Sequence, residues 1–182
     1  MIATVEHRES AGTLLREMYE PGRHDPDGVP HLIAGSQDPA SLEPERRSNG
    51  SRNVARLAGW LSQLPSATCS HAVEQSVWHC IVRARPGERA FSDPQWAEAA
   101  VTLMDRTGLA PRGDRRSVRW VAARHGRDHI HVVAALVRQD GAALPAPACA
   151  AVLAQGACHH AQDSFGLRRV ADSQARATQH RT

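Results

Sequence analysis

Lysine is absent from this chain: all 22 basic residues are arginine. Its positive charge is therefore carried only by planar guanidinium forks, which pair bidentately with phosphate and stack on bases. G/C-rich coding is an equally physical source of the same bias. Aromatic residues make up only 4% of the sequence, and a single tyrosine, Tyr19, is present. The core must then be filled mainly by Ala, Val and Leu, with Trp60, Trp78, Trp96 and Trp120 as its large anchors. No run of 18 apolar residues occurs, which argues against a membrane span, and MIATVEHRES has no apolar signal region. Among Cys69, Cys80, Cys149 and Cys158 there is no Cys-x-x-Cys pair. They are read as reduced thiols of a cytoplasmic protein rather than as structural staples.

What remains is a chain of 182 residues, 41% hydrophobic, with a formal charge of +3. That is enough for one domain with a core of its own. Periodicity predicts a helix over 10–20 with Ser10 as its N-cap, a short strand over 31–34, a loop over 35–51 and a helix over 52–63. A strand follows over 75–84, then a helix over 94–107 that Ser92 or Asp93 caps and Gly108 ends. Residues 117–124 and 129–138 read as two strands of a hairpin closed by His125-Gly126-Arg127-Asp128. Residues 147–164 have helical character and end at Gly166. These elements predict an α+β domain over 1–170, in which an antiparallel or mixed sheet carries helices packed on one face. A polar tail over 171–182 follows.

Three of the 11 histidines gather at that hairpin in the spacing H-x3-H-x-H. Residues two apart on a strand share a face, so His129 and His131 stand side by side, and His125 faces them across the turn. Three neutral imidazoles suit a divalent metal and leave coordination positions open for water or substrate oxygens. Asp128 is placed to orient one of the rings. The competing reading is a pair of polar strand residues in a histidine-rich chain. Arg119, Arg124 and Arg127 flank the hairpin, with Arg112, Arg115 and Arg116 before it. They are candidates for holding DNA phosphates, or simply a solvated surface. His159-His160 and Cys69-x-His71 have no complete ligand set and are read as surface or packing residues.

The segment RWVAARHGRDHIHVVAALVRQDG resembles the signature of relaxases, or mobilization nucleases, of the HUH (His-hydrophobe-His) type. His129-Ile130-His131 matches the HUH element and His125 the third ligand. VWHCIVRARPGERAFSDPQWAEAA is similar to the family's Trp-His strand and the helix that follows, which aligns His79 with a family histidine lining the groove or standing behind the cluster. EPGRHDPDGVPHLIAG and ACAAVLAQGACHHAQDSFGLRRV resemble flanking segments of actinobacterial members. The resemblance implies a metal (Mg, Mn or Zn) gripping the scissile phosphate of single-stranded DNA at the origin of transfer of a plasmid or integrative element. It further implies a tyrosine nucleophile and a covalent phosphotyrosyl intermediate. Accessory mobilization proteins and a membrane coupling protein are the implied partners, with no insertion of this chain into the membrane. Tyr19 lies in the segment where the family keeps its nucleophile. Aligned on Pro21-Gly22, however, the family's first tyrosine falls on Glu17 and Tyr19 falls on the second aromatic. Either Tyr19 attacks, or His24 or His31 does, or the chain binds origin DNA or regulates without cleaving. A metal site that hydrolyses another phosphodiester, with no covalent intermediate, is a further reading.

Overall fold

A computed structural model describes residues 1–20, 30–63, 77–144, 147 and 149–166. Its centre is a five-stranded sheet in the order β1-β5-β7-β6-β2, antiparallel at every pairing. The strands are β1 (Ile2–Arg8), β2 (His31–Gly35), β5 (Val77–Arg83), β6 (Val118–Arg124) and β7 (His129–Arg138). Helices α1 (Ala11–Met18), α2 (Pro39–Leu42), α3 (Ala55–Ser62), α4 (Asp93–Arg106) and α5 (Ala150–Ser164) complete the α+β domain.

Alternation along the strands builds two unlike faces. Trp78, Cys80 and Val82 of β5, Ile130, Val132 and Ala134 of β7, and Trp120 and Ala122 of β6 all point to one side. There they meet Trp96, Ala100, Leu103 and Met104 of α4 and Ala154, Ala157, Cys158 and Ala161 of α5. The small alanines of α5 let that helix lie close to the sheet, and the tryptophans fill the wider gaps. This is the packing of helices on one face expected from the sequence. On the opposite face a smaller apolar cluster joins Leu14, Leu15 and Met18 of α1 and Leu57 and Leu61 of α3 to Val77, Val121, Ala123 and Val133. It covers only part of that face.

Most boundaries follow local chemistry. Ser10 caps α1, its Oγ accepting from the Thr13 amide. Ser92 and Gln95 form a capping box at α4, and Gly108 leaves that helix at φ +75°, a conformation that costs glycine little.

Four expectations are revised. The order begins with a strand: β1 pairs with β5 along its whole length, although MIATVEHRES was read only for the lack of a signal. The 35–51 loop contains α2 and one arm of a small hairpin, β3 (Glu45–Arg46) with β4 (Arg52–Asn53). That hairpin takes Arg52 and Asn53, so α3 starts at Ala55 rather than at 52. Trp60 is not a core anchor; it is only partly buried and lies 6.0 Å beneath the Arg119 guanidinium. Cys80 and Cys158 are buried free thiols and Cys149 is an exposed one. Among the described residues no helix is long and apolar enough to cross a membrane. The 171–182 tail, His24, Cys69 and His71 lie outside the described residues.

Candidate metal centre

β7 is flanked on both sides, by β5 and β6, and brings His129 and His131 to the face that the larger helices leave uncovered. The turn before it is held firmly. The His125 amide donates to the His129 carbonyl at 3.3 Å, the Ala84 amide to the Asp128 carbonyl at 2.7 Å, and Arg124 Nε to the Gly126 carbonyl at 3.0 Å. Glycine at 126 lets the His129 ring lie close against the turn. A β-carbon there would lie 3.2 Å from Cε1 and 3.3 Å from Nδ1 of His129.

The three rings converge as the spacing predicts. Centroid separations are 5.4 Å for His125–His129, 4.8 Å for His125–His131 and 5.3 Å for His129–His131. One ring nitrogen from each lies within 4.8 Å of the others. Nδ1 of His129 is 2.7 Å from the Asp128 carboxylate. This assigns the proton to Nδ1 and leaves a lone pair on Nε2, 3.3 Å from Nδ1 of His125. Two nitrogens bound tetrahedrally to zinc at about 2.0–2.1 Å stand roughly 3.3 Å apart. The donor set and this edge fit a divalent ion, and the triad can bind one.

Asp128 lies against the His129 ring. Burial opposes its charge, but the His129 hydrogen bond and Arg83, 2.9 Å away, hold its carboxyl below the ordinary range. His79 also reaches the cluster: its Nε2 is 2.9 Å from Nδ1 of His131, with the two rings stacked. Nδ1 of His79 in turn lies 3.5 Å from the Glu6 carboxylate. Burial pushes the His79 imidazole below its ordinary pKa, against the pull of Glu6. With the His79 proton on Nδ1 facing Glu6, Nε2 accepts from His131, and Nε2 of His131 becomes the metal-side nitrogen. Such outer partners typically alter metal affinity by about 10–100-fold. We therefore expect His79→Ala to weaken zinc binding by about that factor in a chelator-competition titration. Unchanged affinity would mean that His131 needs no orienting partner.

A cavity of about 200 Å³ opens beside the cluster, lined by His125, His131, His79, Glu6, Arg8, Ile81 and, from α1, Leu14, Glu17 and Met18. Glu6 and Arg8 are not among the residues the sequence points to, and Glu17 enters there only as the position aligned with the family's tyrosine. The signal for the first two was the alternation of β1, which sets Glu6 opposite His79 in the register.

Tyr19 is not on this wall. It caps the C-terminal end of α1, is 5% exposed and belongs to the apolar cluster with Leu57 and Val54. Its hydroxyl is buried without a hydrogen-bond partner among the described residues. Burial, reinforced by Glu43, raises its pKa far above the ordinary phenol value. Glu17, the position onto which the family's first tyrosine aligns, is the charged α1 residue on the histidine cavity's wall, beside Leu14 and Met18. His31 is turned away from the cluster: its Nε2 is 3.0 Å from Asp93 at the start of α4.

The flanking arginines are differently employed. Arg119 donates to the Gln63 carbonyl and sits six residues along the chain from His125, about 20 Å on an extended strand. Arg124 pairs with Asp93 and braces the turn. Arg127 is exposed at the tip of the hairpin.

Compared with known proteins, the chain matches no family model, and no curated protein or solved structure matches it.

Proposed function

We propose that this chain acts on single-stranded DNA at an origin of transfer, as a relaxase-type protein that nicks and rejoins the strand in the cytoplasm with a divalent metal (Mg, Mn or Zn) held by His125, His129 and His131. The observation that carries the reading is the convergence of these three imidazoles on the sheet face beside an open cavity. A bound ion would supply a Lewis acid that neutralises charge developing on a phosphodiester. His79 and Asp128 stand against the rings and would orient them, and Arg127 contributes positive charge at the hairpin tip.

In the covalent version of this chemistry the Tyr19 hydroxyl oxygen forms a bond to phosphorus and gives up its proton. The bond from phosphorus to the 3′-oxygen breaks, that oxygen gains a proton, and a 5′-phosphotyrosyl link remains. Rejoining reverses these changes. Tyr19 can do this only if the end of α1 turns its phenol out of the apolar cluster. Its burial specifically favours a second reading, in which the chain holds origin DNA without cutting it.

Random-sequence single-stranded oligonucleotides, incubated with the protein and Mg, Mn or Zn in turn, separate the two. The nicking reading expects an SDS-resistant protein–DNA adduct that Tyr19→Phe reduces by at least about 100-fold, as loss of a nucleophile should. Retention of DNA with no adduct under any metal supports the binding reading. If DNA is neither retained nor cut, both fail.

A further inference from the structure

The edge of α1 beyond Glu17 borders a second, larger cavity of about 500 Å³, whose wall includes Arg16, Tyr19, Arg47 and Arg52. Three arginines from three different elements line it: one from α1, one from the β3–β4 turn and one from β4. Arg52 is fixed by donating to the Pro44 carbonyl at 2.9 Å and by Glu43 at 3.7 Å. The side chains of Arg16 and Arg47 make no hydrogen bond or ion pair among the described residues. The buried hydroxyl of Tyr19 is a donor that also lacks a partner there. Two carboxylates, Glu17 and Glu20, share the wall, but Glu17 is already paired with Arg8. Three arginines around a concave site, two of them with side chains that have no acceptor among the described residues, match the oxygens of a phosphate group.

We propose that this cavity is a second phosphate site, which holds a backbone phosphate of the same single-stranded DNA whose neighbouring segment lies against the histidines. Glu17 stands on the wall of both cavities, so a strand crossing the exposed edge of α1 passes from one to the other. The proposal gives the β3–β4 hairpin a role: its turn presents Arg47 and its second strand Arg52. The inference rests on the DNA reading above, although it does not require that metal be bound.

Binding of a fluorescein-labelled (dT)12 oligonucleotide, followed by anisotropy in EDTA, tests the site apart from the metal centre. Arg16→Ala/Arg47→Ala is expected to weaken binding at least about 10-fold at low salt. It should also reduce the slope of log K against log salt by about 0.7, the share of one single-strand phosphate. Arg16→Lys/Arg47→Lys should keep most of that slope. Unchanged affinity and slope in the double alanine variant would overturn the proposal. So would a wild-type protein that fails to bind the oligonucleotide, a result that leaves zinc binding by the histidines to be judged on its own titration. Inorganic phosphate and thymidine 5′-monophosphate serve as competitors. Displacement by either as effectively as by unlabelled (dT)12 would assign the cavity to a free phosphate group and overturn the strand path.

Discussion

Alanine at both His129 and His131 is expected to abolish divalent-metal binding. Four-ligand zinc sites in small proteins are worth about 10–16 kcal/mol, or roughly 3 kcal/mol per ligand. Removing two of three ligands should therefore cost about 6 kcal/mol, a weakening on the order of 10⁴-fold. His125 would be left alone in a buried turn, and one imidazole does not compete with water for the ion. Metal content after dialysis, together with a chromogenic-chelator titration, measures the effect. The fold should survive, because both side chains point away from the larger core. If the double variant retains as much metal as the parent, the triad is a packed group of histidines and the proposed function loses its basis.

The largest effect on stability is expected from Trp96→Ala. Trp96 is fully buried at the first turn of α4, edge-on to Phe91 with centroids 5.0 Å apart. Its indole Nε1 has no hydrogen-bond partner among the described residues, so its contribution is packing alone. Removing such a ring costs about 3–5 kcal/mol, against a total stability of about 5–15 kcal/mol for a domain. With a urea m-value of about 2 kcal/mol/M, the unfolding midpoint should fall by roughly 2 M. Trp60→Ala, on a half-covered ring at the other face, should cost less than half as much. An unshifted midpoint in the Trp96 variant would refute the assignment of α4 as the main cover of the sheet. Zinc affinity in the folded fraction should not change, because the histidines lie on the opposite face.

The histidine cluster was legible because its geometry is local. Two-residue spacing on one strand and a short turn fix three rings with no information from elsewhere in the chain. Asp128 was legible for the same reason. Glu6 was not, since it reaches the cluster only through the long-range pairing of β1 with β5, and neither strand announces its partner. The 35–51 stretch looked like loop because its strands are two residues long and polar, too short for alternation to register. Trp60 misled because a large ring at a helical apolar position reads as core whether its neighbours cover it fully or only in part. Tyr19 marks the limit most clearly: its place at the end of α1 could be read from the sequence, but the direction of its ring depends on Leu57 and Val54 from a different helix and its approach.

The ligands and the cavity wall differ in how they are anchored. His129 and His131 stand on a strand with a hydrogen-bonded neighbour on each side, whereas Leu14, Glu17 and Met18 of the cavity wall belong to an eight-residue helix seated on a small apolar cluster. Hydrogen exchange should find the β7 amides opening only with global unfolding and those of α1 opening far sooner. The cluster thus has a stiff floor and a compliant wall: displacement of the cavity lining falls to α1, while the histidines of β7 hold their positions.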